Sequence, residues 1–325
     1  MASQTTAPRL FDRSHWGCIR LTGADRVRFL HNQTTNHIEQ LSAGQGCHTV
    51  FVTSTGRTID LATVYAFADS LLVIVSPGMA QQLYDWMDRY IFFSDKVTLA
   101  DKSDQTVMFT VLGEGCDEVV RSLGAEALIG QPTFTHQAVP LAGTDSSVHI
   151  AVGSDLAIAG YTFWADSAIA AQLEQSLLAA GATLSDQAQW EQLRIQQGRP
   201  MPAHELTDDE NPLEAGLWHS ISFEKGCYIG QETIARLNTY RGVKKRLWGL
   251  RLSAPVPENA SIFQAGSPIG KVTSIAQSET GPFALGYIRT KAGGEGLTVD
   301  IDGTQGEVTA LPFIRHEYHT SPPKE

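Results

Sequence analysis

Cysteine is scarce in this sequence, and no long hydrophobic run is present. The longest strongly apolar run, from Leu71 to Val75, is far below the ~20 residues that a membrane-spanning helix needs. No two cysteines form a C-x-x-C pair, so their spacing predicts neither a disulfide framework nor a zinc site. The widely separated thiols are typical of a reducing compartment; they are Cys18, Cys47, Cys116 and Cys227.

Positive charge is also in short supply. The 325 residues include 24 Lys and Arg against 35 Asp and Glu, a formal net charge of −11. This acidity argues against binding bulk nucleic acid, which requires a basic face. Residues 1–15 are polar and lack the apolar core of a secretory signal. We therefore expect a cytoplasmic protein, or one of an organelle stroma or matrix if the precursor is longer, without membrane or bulk nucleic-acid partners.

Several nucleotide-binding and hydrolase motifs are missing. No G-x-G-x-x-G follows a predicted strand, and no G-x-S-x-G occurs. Residues 266–271 resemble a phosphate-binding loop, but the segment is one residue short and Val272 stands where Ser or Thr is needed, so a hairpin turn is the better interpretation. His316 and His319 are three residues apart and need not share a face, and we predict no metal site.

The order of the predicted elements indicates an α+β protein. Residues 50–138 are predicted to form strands, a helix, strands and a second helix, which is the order of a split-βαβ, ferredoxin-like domain. From residue 241 onward the pattern changes to short strands separated by Gly and Pro. This pattern predicts a separate small all-β barrel or sandwich over residues 241–325.

The segment from Phe223 to Arg236 combines features of a reactive thiol. Two glycines bracket a turn within it, and the residues that follow the second glycine favour a helix. Cys227 would then lie just before a helix N-terminus, with Lys225 two residues away. A cation and unpaired helix amides both favour the thiolate, so Cys227 and Lys225 are candidate catalytic residues. The alternative is a tight turn with a small buried residue at position 227.

A basic cluster follows this segment. Five of the 24 basic residues fall within 11 positions of an acidic chain, which indicates a site for an anion such as a carboxylate or phosphate tail. The alternative is a solvated linker between domains. The cluster consists of Arg236, Arg241, Lys244, Lys245 and Arg246.

The octapeptide from Lys225 to Glu232 resembles the signature of the YgfZ-type folate-binding proteins. These are relatives of the glycine-cleavage T-protein (aminomethyltransferase) that are implicated in iron–sulfur cluster assembly and repair. The resemblance covers nearly the whole chain, because weaker matches occur in the right order at residues 21–26, 29–36, 55–60, 193–200, 211–217 and 284–287. It implies a three-domain ring around a central hole for tetrahydrofolate. Residues 1–49 plus 139–240 would form a split folate-binding domain, 50–138 an insertion, and 241–325 the barrel.

The resemblance also implies residues for binding folate. The enzymes carry an Asp-Asp pair after the hairpin glycine, where this chain has Asp60 and Leu61, and an Arg-x-Glu-x-Gly segment, where it has Arg194 and Gln196. Glutamine loses the charge and the paired acceptors that a carboxylate offers to a pterin edge. Trp218 or Tyr228 would lie near the flat face of the pterin, and the basic cluster, including Arg241, would take the glutamate tail.

These matches predict a tetrahydrofolate-binding protein that acts in iron–sulfur cluster assembly or repair without conventional turnover. Its partners would be folate, or a derivative, and iron–sulfur assembly or client proteins. The enzymes lack the signature cysteine, whereas soft thiolate suits iron–sulfur ligation. One alternative is a folate-dependent aminomethyltransferase or other one-carbon transferase of the T-protein kind, since Asp60 remains. A third is a module that carries folate without chemistry.

Overall fold

The computed structural model describes residues 7–278 and 280–320, which form two compact units. Within that range, the first unit comprises the residues up to His31, together with His37–His48 and Ala62–Trp190. The second comprises Asn32–Asn36, Thr49–Leu61 and the residues from Glu191 onward. The chain therefore supplies each unit from several separate segments.

Strands and helices alternate over the first 200 residues, which confirms the α+β prediction. The strands in this part are β1 (Arg9–Asp12), β2 (Gly17–Thr22), β3 (Gly46–Val52), β4 (Thr58–Ala66), β5 (Ser70–Val75), β6 (Thr98–Asp101), β7 (Thr106–Leu112), β8 (His136–Pro140), β9 (Ser147–Val152), β10 (Gly160–Asp166) and β11 (Thr183–Ser185). The helices are α1 (Arg26–Gln33), α2 (Ala80–Asp88), α3 (Cys116–Ser122), α4 (Ala170–Ala179) and α5 (Gln187–Gln197).

Two sheets organise these strands. One has the order β3-β4-β5-β2-β6, and the other has the order β11-β1-β7-β10-β9-β8. Every residue of β5 is buried, as expected for an apolar strand that is hydrogen-bonded on both sides. Residues 50–138 contribute strands to both sheets, because β6 and β7 follow one another in sequence but lie in different sheets.

Helices α3 and α4 share the apolar core of the six-stranded sheet. Val119 and Val120 of α3 are buried in it with Leu173 and Leu177 of α4. The spacing of four between the two leucines puts both on one face of α4. Phe163 of β10 is fully buried in the same cluster, so the sheet and its helices form one core.

The C-terminal part of the second unit is a closed β-barrel, as predicted from its short strands. Helix α6 (Gln231–Thr239) precedes it. The barrel order is β12-β15-β14-β13-β16-β17, and closure removes the free edges that a small open sheet would expose. Its strands are β12 (Lys245–Leu252), β13 (Ser261–Gln264), β14 (Ser267–Ser278), β15 (Gly281–Arg289), β16 (Thr298–Ile301) and β17 (Thr304–Thr309).

Four strands were not predicted from the sequence, and one of them, β11, has only three residues. Strands β1 and β8 have only four and five residues, and β13 has four residues with a register shift between Ile262 and Phe263. Runs this short give too few alternations to signal a strand, and tertiary pairing decides their conformation. Within the described residues, no helix is long and apolar enough to cross a membrane.

Candidate functional site

The predicted reactive segment forms a turn in the second unit, which we call the signature turn (residues 223–230). The side chain of Lys225 is buried, and its ammonium donates hydrogen bonds to the carbonyl oxygens of Thr34, at 2.6 Å, and Asn36, at 2.8 Å. The same nitrogen lies 4.8 Å from the centre of the Tyr228 ring. Lys225 therefore joins the turn to the residues that follow α1.

Further hydrogen bonds connect the signature turn, and the residues just before it, to residues 32–36. The backbone N–H of Ile229 donates to Asn32 O at 3.1 Å, and that of Ser222 donates to Thr35 O at 3.0 Å. The Thr35 hydroxyl donates to Ser220 O at 2.7 Å and accepts the N–H of Val50 at 3.0 Å. These contacts are made by backbone groups and one threonine, so they fix the path of the turn independently of the side chain at position 227.

Two glycines allow this turn to approach the hairpin between β3 and β4. Gly230 has a φ of +80° and Gly56 a φ of +73°, both in the left-handed region. A Cβ at position 230 would lie 2.6 Å from Thr53 O and 3.1 Å from the Cα of Gly56. Only glycine satisfies both the backbone angle and the close approach. Helix α6 then begins directly after Gly230, which is its N-cap.

Cys227 is exposed, in contrast to two of the other cysteines. Cys18 and Cys116 are buried, and Cys47 is half-buried. Burial raises the pKa of the Cys18 thiol to about 11 and also raises the pKa of Cys116. A thiol with a raised pKa and no access to solvent is a poor nucleophile or metal ligand. Cys227 is thus the cysteine best placed to meet a reactant from solution.

The acidic position after the hairpin glycine is deeply buried. Asp60 of β4 has no exposed surface. Leu61 is also fully buried and packs in the core cluster that includes Val50, Ile195 and Tyr228. At this pair of positions the chain therefore offers one shielded carboxylate and one hydrocarbon side chain.

Arg194 of α5, a predicted folate-binding residue, is already paired with carboxylates. It is 1% exposed, and its guanidinium donates to Glu205 Oε2 at 2.8 Å, to Glu191 Oε1 at 2.5 Å and to Ser274 Oγ at 3.0 Å. Burial alone lowers the pKa of Arg194, but the two carboxylates outweigh it and raise that pKa. The geometry gives Arg194 a role in joining α5 to the barrel.

Gln196 and Trp218 retain unused hydrogen-bonding groups. The Gln196 amide is half-buried, and its Nε2 makes a long contact of 3.5 Å with Gln277 O. The Trp218 Nε1 is buried without a hydrogen-bond partner among the described residues. The ring of Trp218 contacts Tyr318 edge-on, with 5.0 Å between centroids. Burial raises the pKa of Tyr228, which keeps its hydroxyl neutral.

The basic cluster divides into paired and exposed members. Lys245 forms an ion pair with Glu210 at 2.6 Å. The guanidinium groups of Arg241 and Arg246 lie 5.9 and 5.8 Å from the centre of the Tyr318 ring. Arg241 is exposed, so its charge is available to a solute.

Sequence reasoning did not identify three acidic residues and a C-terminal aromatic residue of this region. Glu205, Glu210 and Glu214 are buried, and burial raises the pKa of Glu214, partly offset by the N–H of Asn211. The position of Glu214 within the matched segment 211–217 was the available signal, but its burial depends on tertiary packing. Tyr318 gave no signal, since a single aromatic residue near a chain end has many possible roles. Among the described residues, no group of three or more His, Cys, Asp or Glu could hold a metal ion.

Comparison with known proteins defines the class to which this fold and site belong. Residues 3–225 match the GCVT N-terminal domain, and residues 245–314 match the glycine cleavage T-protein C-terminal barrel domain. The crystal structure of aminomethyltransferase T from Bartonella henselae superposes with a TM-score of 0.83 at 21% identity, covering 97% of this chain and 88% of that one. The protein therefore has the T-protein fold.

Sequence relatives agree with this result. A chloroplastic protein of Arabidopsis thaliana named "putative transferase" is 44% identical over 313 residues, which are 95% of this chain and 72% of the relative. An aminomethyltransferase of Streptomyces avermitilis is 29% identical over 332 residues, covering 95% of this chain and 87% of the enzyme. The chain belongs to the glycine cleavage T-protein family.

Proposed function

We propose that this protein binds tetrahydrofolate and supports the assembly or repair of iron–sulfur clusters through the thiol of Cys227, without aminomethyl turnover. The observation that carries the proposal is the signature turn. Its backbone is anchored by Lys225 and by Gly230, while the thiol at position 227 is exposed. A thiol that is exposed on an anchored turn can bind a metal ion or contact a partner protein.

The residues of the second unit fit a folate only in part. Gln196 and the Trp218 Nε1 offer hydrogen-bonding groups that the protein leaves largely unused. The exposed guanidinium of Arg241 suits the carboxylates of a glutamate tail. Arg194 does not fit, because its guanidinium is taken up by Glu205 and Glu191. When bound, tetrahydrofolate supplies a nitrogen that accepts a one-carbon unit.

The positions that resemble the acidic residues of the enzymes favour binding over transfer. Leu61 has no ionisable group and is packed in hydrocarbon. Asp60 is wholly buried. A bound substrate therefore cannot reach its carboxylate to exchange a proton. Gln196 has no charge. We therefore propose that folate binding persists while aminomethyl transfer is lost.

The chemistry expected of Cys227 is ligation of iron as a thiolate, which releases one proton on binding. A thiolate is a soft ligand and suits iron–sulfur clusters. Such clusters commonly take four cysteine ligands, so one thiol from this chain would share the cluster with a partner protein. The chloroplastic name of one relative supports an organelle stroma as the compartment, beside the cytoplasm.

Substitution of Cys227 tests this function. In cells that lack the protein, the variant Cys227→Ala should restore iron–sulfur enzyme activity at least about tenfold less well than the parent protein, because no other thiol replaces the ligand. The affinity for tetrahydrofolate, measured by calorimetry, should stay within about twofold. Cys47→Ala is the matched control and should support full activity. Full activity of Cys227→Ala would refute the thiol mechanism.

Aminomethyl transfer is the second candidate, favoured by relatives that bear the name aminomethyltransferase at 25–29% identity over most of the chain. Purified protein would be supplied with tetrahydrofolate and an aminomethyl-loaded carrier protein, and formation of methylene-tetrahydrofolate would be followed over time. We expect no turnover above the uncatalysed rate. Turnover that persists in Cys227→Ala would establish the transferase in place of the thiol mechanism.

A further inference from the structure

The first unit contains a cavity of about 430 Å³ that the folate and thiol chemistry does not use. Arg20 of β2, Lys102 after β6 and His149 of β9 contribute to its lining. Phe67 and Trp164 contribute apolar surface. The volume falls within the ~300–1,000 Å³ typical of small-molecule sites, so the cavity is large enough for a single-ring organic molecule.

Sheet register brings two cations to this cavity. Arg20 of β2 is paired with Ala100 of β6, and Lys102 comes two residues after Ala100, so alternation puts both cations on the same face of the sheet. The Arg20 side chain is 45% exposed and donates to Ser70 Oγ at 2.9 Å. The Lys102 ammonium donates to Gln105 Oε1 at 2.9 Å. Both cations have neutral hydrogen-bond partners that an anion can replace.

Nearby acidic groups leave an excess of positive charge. Asp69 lies 3.7 Å from the Arg20 guanidinium, but its side chain is 81% exposed and the pair is therefore weak. Asp166 lines the cavity and accepts the N–H of Ala168 at 2.9 Å. The lining thus carries two cations against one carboxylate, in a protein whose net charge is −11.

His149 contributes an aromatic ring to the lining of the cavity. Its Nδ1 is buried and makes no hydrogen bond to the described residues. Burial, with His136 and Arg20, lowers the pKa of His149 to about 4, so the ring is neutral at pH 7. The ring stacks on Trp164 with 5.4 Å between centroids and 9° between planes. His149 therefore adds a neutral aromatic ring to the lining, beside the two cations.

We propose that this cavity binds a small planar organic anion. Its carboxylate or phosphate group contacts Arg20 and Lys102, and its flat ring lies against the side formed by His149, Trp164 and Phe67. Charge-assisted hydrogen bonds fix the anionic group, and offset stacking favours an aromatic body over a saturated one. The lining residues of the cavity all belong to the first unit, whereas Cys227 belongs to the second.

Benzoate and phenyl phosphate are suitable probes, with benzamide as the neutral analogue and cyclohexanecarboxylate as the saturated one. Binding to the full chain would be measured by calorimetry and by shifts of the Trp164 indole resonance. We expect saturable binding of at least one aromatic anion and at least about tenfold weaker binding of benzamide and cyclohexanecarboxylate. The better of the two anions identifies carboxylate or phosphate as the preferred group.

Two double variants distinguish the cavity from general electrostatic attraction. Arg20→Gln with Lys102→Gln should weaken binding of the preferred anion about tenfold or more. Arg28→Gln with Lys96→Gln removes the same charge from exposed sites of the same unit and should leave affinity within about twofold. Cys227→Ala should bind as the parent does. Absence of saturable binding, equal binding of benzamide or cyclohexanecarboxylate, or equal loss in both double variants would overturn the proposal.

Discussion

Two buried cations of the second unit, Arg194 and Lys225, have different kinds of partner. Arg194 is 1% exposed and is held by the carboxylates of Glu205 and Glu191. Lys225 is 5% exposed, and its ammonium contacts two backbone carbonyl oxygens. Both residues come from the motifs that carry the family resemblance. The comparison indicates that a cation in such a motif can stabilise the fold, whereas the thiol of Cys227, two residues from Lys225, is exposed.

The largest effect is expected where a buried charge loses its counter-ion. Glu205 is fully buried and accepts hydrogen bonds from Arg194, Thr273 and Ser274. Glu205→Gln should lower the free energy of unfolding by about 3–5 kcal/mol, because it leaves the buried guanidinium with the half-exposed carboxylate of Glu191 as its counter-ion. Chemical denaturation measures this change. Glu191→Gln is the control, with a side chain that is 48% exposed, and should cost at most about 1 kcal/mol.

If the two substitutions cost the same, the guanidinium of Arg194 would be free to rearrange toward solvent. The contrast with Lys225 would then fail, and Arg194 would again be a candidate for binding a ligand. A loss confined to Glu205→Gln supports the assignment of Arg194 to the fold.

A smaller effect is expected at the signature turn. Lys225→Met keeps much of the side-chain volume but removes the ammonium that donates to the carbonyls of Thr34 and Asn36. The expected loss is about 1–3 kcal/mol of unfolding free energy. Lys244→Met, at an exposed position of the basic cluster, should change stability by no more than about 0.5 kcal/mol. A neutral result for Lys225→Met would show that the turn keeps its path without the lysine.

The half-buried imidazole of His316 is a third case, a group that is neutral in the folded protein. His316 donates from Nε2 to Leu247 O at 2.9 Å, and burial lowers its pKa to about 4. Between pH 6.5 and 4 the unfolded chain binds more protons at this residue, so the free energy of unfolding falls as pH falls. We expect His316 to contribute about 2–3 kcal/mol of this loss.

The pH dependence of His316→Gln isolates that contribution. Glutamine can donate to Leu247 O but does not titrate, so the variant should lose less stability than the parent between pH 6.5 and pH 4. Urea titrations at the two pH values give the comparison. Parallel losses in both proteins would mean that His316 is protonated in the folded chain.

The fold could be predicted from sequence where the signals were local and repeated. The apolar run of β5 and the Gly- and Pro-separated strands of the barrel are of this kind. Residues 50–138 show the limit. Their order of strands and helices was correct as far as α3. Sequence order does not determine which of two sheets a strand joins, and β6 and β7 join different ones.

For the candidate site, the sequence indicated which segments contain its residues. It did not indicate which groups each side chain contacts. Gly230 and Cys227 could be located from the octapeptide, and the close approach of Gly230 to Gly56 gives a physical reason for the glycine. The partners of Arg194 and Lys225 are distant in sequence or are backbone atoms. Contacts of this kind leave no pattern in the sequence around either cation.

The smallest effect on stability is expected for substitution of Cys227. The reactivity of its thiol, compared with that of Cys18, also tests whether the signature turn exposes a reactive group. Cys227→Ala should change the free energy of unfolding by no more than about 0.5 kcal/mol, because the residue is exposed. In native protein at pH 8, Cys227 should account for the fastest reaction with a disulfide reagent. Cys18, with its pKa of about 11, has roughly 0.1% thiolate at that pH and should react only on unfolding. If the fastest reaction with the reagent is still seen in Cys227→Ala, a different thiol is the reactive one. The exposure of Cys227 on the signature turn would then give it no advantage.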